Sequence, residues 1–432
     1  MPFEAQPTSP RKIAVIGGGI TGMGAAYKLS GTDHVTLFEA EPRIGGHART
    51  RMAGPNGDQS VDTGFIVFNY ANYPHLTALF DELDVPVVKS NMSFGASING
   101  GGFEYGLRTL SSLFAQPKHA ISPRFLRMVR DIFKFNSDAL ELSRRNTSMT
   151  IGEMLTALGT SDWFRERYLL PLSGAIWSTP LEKIMDFPAY AMMQFFENHA
   201  LLSHTGQHQW YTVEGGSISY VSRLQSALEK ANVSLRVSSP IDAVRRNASG
   251  AMVKTADADW EQFDEVIFAT HSDDSLRMIE DAEDYERSAL SKVAYQPNKI
   301  VLHSDDTVMP KRRAVWSSWN YTEMNGRLDG PIDLTYWMNS LQPWLTRDNF
   351  FVTLNTNRSI RPELIWDEVT LRHPVYDLGA LEAQKEVTTF NGRKNTWFCG
   401  AWMKNGFHED GLSSALDVVN GLQAEKLSVA AQ

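Results

Sequence analysis

The residue types and spacing best suited to chemistry occur near the N-terminus, where Gly17, Gly19 and Gly22 are followed by Glu39. In a G-x-G-x-x-G turn from a strand into a helix, the first glycine permits the tight turn and the second lets the backbone approach a diphosphate. The third lets the helix pack on the strand. Glu39 lies 17 residues beyond Gly22, near the spacing of the acid that binds ribose hydroxyls. Its charge would repel the 2′-phosphate of NADP, so the pattern disfavours that nucleotide.

The segments around this turn predict the elements that position it. Residues 13–16 form a short β-branched apolar run typical of a buried parallel strand, 23–30 are expected to be helical, and 35–38 form a second strand. Ile20 and Thr21, at the helix start, would offer unpaired N–H groups and a partial positive charge to the diphosphate. A glycine triad alone also occurs in ordinary strand-to-helix turns. The full order of strand, triad, helix, strand and acid predicts a dinucleotide-binding βαβ unit.

The stretch after the second strand separates FAD from NAD. Its pattern Glu39-x-x-x-Arg43-x-Gly45-Gly46 resembles the flavin-binding extension of the amine oxidase, protoporphyrinogen oxidase and phytoene desaturase superfamily. The resemblance implies that the paired glycines let the chain pass close beside the flavin of FAD, where a side chain would clash. That superfamily usually has arginine after the pair, where this chain has His47. The cofactor contacts implied in this stretch are those of Glu39, Ala40, Arg43, Gly45, Gly46 and His47.

A C-terminal segment also resembles this superfamily. A strand over 396–400 and a helix expected to start near Gly411 resemble its C-terminal flavin motif, which implies cofactor contacts from Gly400, Gly411 and Leu412. The helix start would point N–H groups at the flavin and stabilise negative charge on the reduced ring. The superfamily usually carries glutamate just after the strand glycine, where residues 401–402 are alanine and tryptophan here.

Residues 235–271 resemble the return of the chain to the nucleotide domain, which implies that the backbone at Ile241 meets the adenine. Plain strands of a sheet account equally well for the rest of that segment. Together the pieces imply an α/β FAD-binding domain of Rossmann-like, glutathione-reductase type and a second, α+β substrate-binding domain. The expected ranges are 10–75, 205–275 and 385–432 for the FAD-binding domain, and 76–204 and 276–384 for the substrate-binding domain.

The length and composition of the chain exclude several classes of protein. A length of 432 residues is too long for one compact core and predicts two domains. The net charge of −9 argues against a nucleic-acid partner, which needs a concentrated basic surface. A single cysteine, Cys399, excludes an intramolecular disulfide and fits a reducing compartment. Residues 1–12 have no apolar core like that of a signal peptide, and no apolar run reaches the length of a membrane span. We therefore expect a cytoplasmic enzyme, with its oligomeric state left open.

One basic segment, residues 118–136, stands out from this acidic background. Residues 123–136 are expected to form an amphipathic helix whose apolar face carries Phe125, Met128, Val129, Ile132 and Phe133. The cations of the segment are Lys118, Arg124, Arg127, Arg130 and Lys134. Such a helix is a candidate for peripheral contact with the inner face of a membrane. An exposed helix that packs its apolar side on the core is an alternative at least as good.

The middle of the chain is rich in aromatic and apolar residues. Tryptophan, phenylalanine and tyrosine cluster over 163–211 and again over 316–344. Most of them fit an ordinary core, but their density predicts a long apolar cavity for an apolar small molecule or a lipid acyl chain, since ligand sites are mostly apolar with few polar groups.

His408 is the first candidate for a catalytic group. It lies three residues before Gly411, near the position that forms one wall of an aromatic cage in amine oxidases. A helix N-terminus beside it would lower its pKa and keep the ring neutral and able to accept a proton; a structural histidine is an equal alternative. The expected position of the other cage wall, 378–381, offers no aromatic ring.

Lys299 is a weaker candidate, for the lysine that binds water near flavin N5 in amine oxidases, and a plain strand lysine is favoured instead. His199, His204 and His208 have no nearby cysteine or carboxylate set, so no metal site is expected.

Four segments resemble bacterial flavoproteins found beside cyclopropane-fatty-acid-synthase-like methyltransferases: 61–69, 168–171, 175–180 and 407–411. The resemblance implies hydride transfer from a C–H of an apolar lipid to flavin N5, in a desaturase of methylated unsaturated fatty acyl chains, as in furan fatty acid synthesis. Three alternatives stay open. They are an amine oxidase, a flavin-dependent fatty-acid double-bond isomerase and, least favoured, a non-catalytic flavoprotein that binds a partner.

Overall fold

The computed structural model of the chain describes residues 9–177, 181–198, 201–202, 208–256, 258–325 and 332–430. Three features of the sequence lie outside these residues: positions 178–180, the histidines His199 and His204, and the expected domain boundary at 204–205.

The strands are, in chain order, β1 Lys12–Ile16, β2 His34–Phe38, β3 Thr50–Ala53, β4 Gln59–Asp62, β5 Val87–Ser90, β6 Phe94–Ile98, β7 Phe103–Gly106, β8 Trp210–Val213, β9 Ser234–Arg236, β10 Ile241–Asn247, β11 Gly250–Thr255, β12 Glu261–Phe263, β13 Glu265–Phe268, β14 Ala294–His303, β15 Trp319–Thr322, β16 Leu334–Trp337, β17 Phe351–Leu354, β18 Ile365–Val375 and β19 Thr396–Phe398.

The α-helices are α1 Ile20–Leu29, α2 Pro74–Glu82, α3 Leu110–Leu113, α4 Pro123–Arg145, α5 Ile151–Leu158, α6 Asp162–Phe164, α7 Leu170–Trp177, α8 Ala189–Asn198, α9 Ile218–Lys230, α10 Ser272–Met278, α11 Asp284–Ser291, α12 Met338–Leu341, α13 Leu378–Phe390 and α14 His408–Ala430. Shorter helical turns are Pro117–Ile121, Arg165–Leu169, Leu181–Asp186, Asp306–Val308, Arg313–Val315, Pro362–Leu364, Arg393–Asn395 and Ala401–Met403.

A parallel five-stranded sheet carries the glycine turn. Its strand order is β19-β13-β1-β2-β9, so strands from distant parts of the chain lie side by side. Residues of β1 alternate between two cores: Ile13 and Val15 pack with α1, α9 and α14, whereas Ala14 and Ile16 pack with β10, β11, α11 and α13. Because both faces are covered, this strand is apolar from residue 13 to residue 16, as the β-branched run predicts.

The second sheet is mixed and has seven strands in the order β18-β14-β17-β16-β15-β6-β7. Only the β15–β6 pair among them is parallel. Side chains from this sheet share one core with α4, α5, α7 and α8. The two sheets and their helices confirm the predicted fold class, a Rossmann-like α/β domain with a second α+β domain, while the domain boundaries themselves stay a prediction.

The structure corrects the ends of three predicted helices. Helix α1 begins at Ile20 rather than at 23, because the glycine turn ends there and Gly22 is already helical. Helix α14 begins at His408, three residues before the expected Gly411, and α4 extends to Arg145. Among the described residues, no helix has the length and apolarity needed to cross a membrane.

The predicted apolar face of α4 is partly wrong. Phe125, Met128 and Ile132 are buried, but Phe133 is 54% exposed. The buried stripe instead includes Asp131, whose carboxylate accepts a hydrogen bond of 2.9 Å from the Ser161 N–H. This polar contact with the start of α6 turns Phe133 away from the core.

Arg246 on β10 gives a test of how the β10–β11 ribbon is fixed to α11. Its buried guanidinium donates to both carboxylate oxygens of Glu286 at 2.6 and 2.7 Å. Substitution Arg246→Met leaves that buried carboxylate unpaired, so we expect the free energy of unfolding to fall by about 3–5 kcal/mol. Arg245→Met, which removes a surface pair with Glu280 from the neighbouring position, should cost less than about 1 kcal/mol. Urea denaturation followed by circular dichroism measures both; equal midpoints for the two variants would contradict the expectation.

Candidate active site

One continuous cavity of about 850 Å³ runs between the two sheets. One end is lined by the glycine turn and Glu39, and the remainder by side chains of the seven-stranded sheet and of helices α7 and α8. The cavity therefore joins a nucleotide-type end to an apolar end.

The glycine turn has the geometry that its spacing predicts. Gly17 has a φ of +110°, and a Cβ there would lie 2.6 Å from the Ala269 carbonyl oxygen. A Cβ at Gly22 would lie 1.9 Å from the carbonyl oxygen of Gly17, so only glycine lets α1 pack this closely on β1. A Cβ at Gly19 would meet no atom within 4 Å, which leaves open space in front of the helix start. Ile20 and Thr21 line the cavity at this point.

Glu39 lines the cavity at the end of β2. Its carboxylate accepts hydrogen bonds from the N–H of Gly18 at 2.7 Å and of Glu41 at 2.8 Å. These bonds fix the acid beside the glycine turn, where a ribose would lie. Ala40 and Ile241 are not among the lining residues, so their contacts with the cofactor stay a prediction.

The loop with the glycine pair lies directly against the glycine turn. The Gly45 N–H donates to the Gly18 carbonyl at 2.7 Å, and a Cβ on Gly46 would lie 3.1 Å from Gly19 Cα. The guanidinium of Arg43 donates to the carbonyl oxygens of Gly46 at 2.9 Å and Ala48 at 3.1 Å. Arg43 thus holds the loop in shape, and it is not among the residues that line the cavity.

The C-terminal motif contributes in two ways. Gly400 lines the cavity. Gly411 and Leu412 are not among the lining residues and instead pack on α1, where a Cβ at Gly411 would lie 2.6 Å from Thr21 Oγ1. Leu412 covers Gly24. These two residues let α14 start beside α1 rather than contact the cavity themselves.

The residues at this end fit FAD. Glu39 would hold the adenosine ribose, and the turn from Gly17 to Thr21 would hold the diphosphate. His47 and Gly400 line the wall beyond them, on which the flavin would lie. The open space at Gly19 is the observation that this fit rests on.

Three histidines that are far apart in the sequence meet in the cavity wall. The ring of His47 lies 5.5 Å from that of His373 and 6.0 Å from that of His271. Burial lowers the pKa of His47, and it lowers the pKa of His271 and of His373 to about 3, with further lowering by the neighbouring rings. The cluster is therefore neutral at physiological pH.

Hydrogen bonds set the tautomers of two of these rings. Nε2 of His47 lies 3.2 Å from the Arg372 carbonyl oxygen, which can only accept, so Nε2 carries the hydrogen. Nδ1 of His373 accepts from the Asn298 amide at 2.9 Å. His271 and His373 are not predicted from the sequence, because no local pattern marks them.

Asp273 and Asp274 lie next to this cluster. With His271 they form the group of possible metal ligands found among the described residues. Both carboxylates are already paired with the guanidinium of Arg372, and Asp274 is also paired with Arg277. The group is an ion-pair network that fixes Arg372 in the cavity wall.

His408 lines the cavity as predicted, but its ring is held on two sides. It stacks on Phe65 with ring centres 3.9 Å apart, and its Nε2 lies 2.8 Å from the Tyr220 hydroxyl. Burial lowers the pKa of His408 to about 3. The ring is therefore neutral and fixed in orientation. A base with so low a pKa retains a proton poorly at neutral pH, so this geometry suits a positioning group better than a strong base.

The structure corrects the prediction for Lys299. Its side chain is exposed on β14, and its ammonium pairs with Glu368 of β18 at 3.3 Å. The next residue, Ile300, lines the cavity, and successive strand residues point to opposite faces. Lys299 thus points away from the site and takes no part in its chemistry.

The remainder of the cavity is an apolar arm. Its walls are side chains of α7 and α8 on one side and of β15–β17 on the other, namely Leu172, Ile176, Trp177, Phe195, Trp319, Tyr336, Val352 and Leu354. Among the described lining residues the acids are Glu39 and Asp274, and neither belongs to this arm. The structure thus places an apolar cavity where the aromatic clusters of the sequence predict one.

Arg108 also lines the cavity, next to Leu107 and just after β7. Its side chain is exposed, and it has no hydrogen bond or ion pair with any part of the chain that the structure describes. The other lining guanidinium, that of Arg372, is paired with two carboxylates. Arg108 is therefore available to an anionic group, and no motif of the sequence identified it.

Gly19 provides a test of the nucleotide end. Because a Cβ at this position meets nothing within 4 Å and its φ is −75°, Gly19→Ala should fold with unchanged thermal stability. The methyl group would occupy the space left for the diphosphate, so we expect FAD affinity to fall by at least about ten-fold, equivalent to about 1.4 kcal/mol. The control is Gly31→Ala, also with nothing within 4 Å but outside the cavity. Flavin titration by fluorescence quenching measures both, and equal affinities would contradict the assignment.

The depressed pKa of His373 predicts a pH dependence. Its unfolded value is 6.5, so the unfolded chain binds a proton first, and the free energy of unfolding falls as the pH drops from about 6.5 toward 3. His373→Asn should reduce the loss of stability between pH 7 and pH 5 by about 1–2 kcal/mol relative to wild type. Urea midpoints at both pH values measure this. The control is His34→Asn, at the exposed start of β2, which should lose as much stability between pH 7 and pH 5 as the wild type. If the His373→Asn variant also loses as much stability as the wild type, the effect is refuted.

Comparison with known proteins agrees with this site. Residues 20–332 match the family of flavin containing amine oxidoreductases. A fatty acid isomerase from P. acnes that produces CLA has the same fold, with a TM-score of 0.68 and 16% identity over 95% of this chain and 98% of that one. A putative protoporphyrinogen oxidase from Exiguobacterium also has this fold, with a TM-score of 0.69 and 18% identity over 97% of this chain and 100% of that one.

Among curated proteins, an L-amino-acid oxidase of Sistrurus catenatus edwardsii is 43% identical over 44 residues, which is 10% of this chain and 8% of that protein. The match thus spans under a tenth of the curated relative's length. The family match covers more than half of the chain, and the cavity fits the cofactor. This chain therefore belongs to the flavin containing amine oxidoreductase family and is an FAD-dependent oxidoreductase.

Proposed function

We propose that this oxidoreductase desaturates a methylated, unsaturated fatty acyl chain. The observation that carries the proposal is the apolar arm, which continues without interruption from the end that fits FAD. Its walls are aliphatic and aromatic, and such a site binds an extended hydrocarbon through burial of apolar surface. The fatty acyl specificity comes from the resemblance of the four sequence segments, and the cavity supports it.

The same arm disfavours an amine substrate. An amine oxidase stabilises a cation with stacked rings or carboxylates. The ring of His408 is covered by Phe65, and no acid among the described residues lines the arm. Tyr376 lines the cavity near the second expected cage position, but its hydroxyl donates to the Ala401 carbonyl. A bound ammonium group would thus find no countercharge there.

FAD, when bound, would accept a hydride from a substrate C–H bond, and the second hydrogen would leave the neighbouring carbon as a proton to a neutral imidazole of the cavity wall. The chain's own residues bind and orient the acyl substrate. The apolar arm excludes water from the reacting carbons, and the neutral histidine cluster adds hydrogen-bonding groups without a buried charge. His408, held by Tyr220, fixes one wall of the reaction space. Arg108 would pair with the acid end of the substrate, whether a carboxylate or a phosphate.

A double-bond isomerase acting on the same chain is the second candidate. It would use the same apolar arm, and the CLA-producing fatty acid isomerase from P. acnes named above has the same fold. Isomerisation would leave the substrate mass unchanged, whereas desaturation removes two hydrogens. The mass of the product therefore separates the two reactions.

The test is anaerobic mixing of the flavoprotein with a methylated unsaturated fatty acid or with the corresponding phospholipid. We expect loss of the flavin absorbance in the visible range together with a product two hydrogens lighter. Unchanged mass with a moved double bond would favour isomerisation. Recovery of both lipids with unchanged mass and unmoved double bonds would reject both reactions. A positive result with only one of the two lipids identifies the form of the substrate.

Arg108→Gln localises the acid end in the same experiment. We expect KM for the free acid to rise about ten-fold while kcat changes little, because a charge-assisted hydrogen bond contributes about 1.5–3 kcal/mol before solvent exposure reduces it. The methyl ester of the same acid, which lacks the charge, should show no such change. Arg124→Gln, an exposed arginine outside the cavity wall, is the matched control. An equal effect of Arg108→Gln on acid and ester would remove Arg108 from substrate binding.

A further inference from the structure

The exposed side chains of the stretch from residue 107 to residue 130 have an unusual composition. It contains five cationic residues and no acidic residue in a chain whose net charge is −9. It also exposes large aliphatic side chains: Leu110 is 77% exposed, Ile121 83% and Leu126 45%. We call residues 107–130 the docking stretch.

The exposure of these aliphatic side chains follows from how the segment folds. Ser122 is the N-cap residue of helix α4, and its side chain accepts the Phe125 N–H; Pro123 follows at the first helical position. Phe125 and Met128 then face the core, so Leu126 faces solvent between them. Ile121 lies directly before the N-cap residue, and its side chain is almost entirely exposed. Exposing aliphatic side chains in this way is unfavourable unless something covers them.

The cations lie on the same stretch. Arg108 and Arg124 make no ion pair with any residue the structure describes, while Lys118 donates to the Gly102 carbonyl at 2.8 Å and remains exposed. Arg127 and Arg130 both approach the buried carboxylate of Asp131, and their side chains stay more than half exposed. At least three positive charges therefore face solvent without a compensating carboxylate.

We infer that the docking stretch binds the surface of an anionic phospholipid bilayer. Aliphatic side chains set among arginine and lysine match the boundary between acyl chains and charged headgroups. A protein partner is disfavoured because the exposed apolar residues here are leucine and isoleucine rather than the tyrosine and tryptophan that dominate protein interfaces. The occupant is thus a membrane surface.

The stretch begins in the wall of the cavity, which gives this surface a role. Leu107 and Arg108 line the cavity, and the exposed residues follow them directly. A bilayer bound to the stretch would face the cavity at Arg108, so an acyl chain could pass from lipid into the apolar arm without crossing water. This role rests on the proposed function, whereas bilayer binding itself requires no turnover.

The test is co-sedimentation of the flavoprotein with dimyristoyl phosphatidylcholine vesicles, with and without dimyristoyl phosphatidylglycerol. We expect binding to the mixed vesicles that weakens as salt is raised, since exposed charges are screened. The triple variant Leu110→Ser, Ile121→Ser, Leu126→Ser should lower the partition coefficient by about ten-fold or more. Lys118→Gln with Arg124→Gln should lower it by about five-fold for each cation removed.

Met52→Ser with Leu378→Ser is the control. Both side chains are more than half exposed, like those of Leu110 and Ile121, but they lie outside the docking stretch. Flavin content and circular dichroism verify that each variant is folded. No binding to the mixed vesicles, binding of equal strength to the neutral ones, or equal loss in the control would each overturn the inference. Flavin reduction by detergent-dispersed fatty acid tests the proposed function separately: if it persists while vesicle binding is absent, the docking inference alone fails.

Discussion

The buried carboxylate of Asp62 ties the strand pair β3–β4 to the start of α9 and to the end of α12. Its oxygens accept hydrogen bonds from the Thr50 hydroxyl at 2.6 Å, from the Ser217 N–H and hydroxyl, and from the Gln342 amide at 2.6 Å. Gln342 follows α12, which lies between two strands of the seven-stranded sheet, whereas Thr50 begins β3 and Ser217 precedes α9. Burial raises the pKa of Asp62 to about 6 despite these donors. The position of the cavity walls therefore depends on a polar cluster that is fully satisfied internally.

A second cross-link, between Arg49 and Asp367, joins the segment after the glycine-pair loop to β18 of the seven-stranded sheet. The guanidinium of Arg49 donates to both oxygens of Asp367 on β18 at 2.5 and 3.1 Å, and it also donates to the Thr63 hydroxyl. Arg49 follows the glycine-pair loop by three residues, so this pair fixes that loop beside the strand that carries Arg372 and His373. The histidine cluster is a consequence: His47 comes from the loop and His373 from the strand. Their depressed pKa values follow from burial at the junction rather than from any local motif.

The sequence predicts the nucleotide end of the site well and the substrate end poorly, for a physical reason. A turn such as the one at Gly17 to Gly22 is defined by short-range sterics, so its residue types alone reveal it. His271, His373 and Arg108 reach the cavity only through pairing between distant segments, and no short pattern encodes those pairings. Lys299 shows a second limit of prediction from sequence: a pattern can place a residue on a strand without saying which face its side chain occupies. One step along the strand moves a side chain to the opposite face.

Helix α4 shows how tertiary contacts override amphipathic periodicity. A periodicity of 3.6 residues correctly predicts a helix, but it assigns the buried face by hydrophobicity alone. The buried Asp131 carboxylate accepts a hydrogen bond from the Ser161 N–H at the start of α6, while Phe133, on the predicted apolar face, is 54% exposed. A polar residue buried at the cost of exposed apolar ones is unfavourable for an isolated chain. Covering the outer face would make the exposure of Leu126 favourable, and the bilayer surface that we infer for the docking stretch would provide that cover.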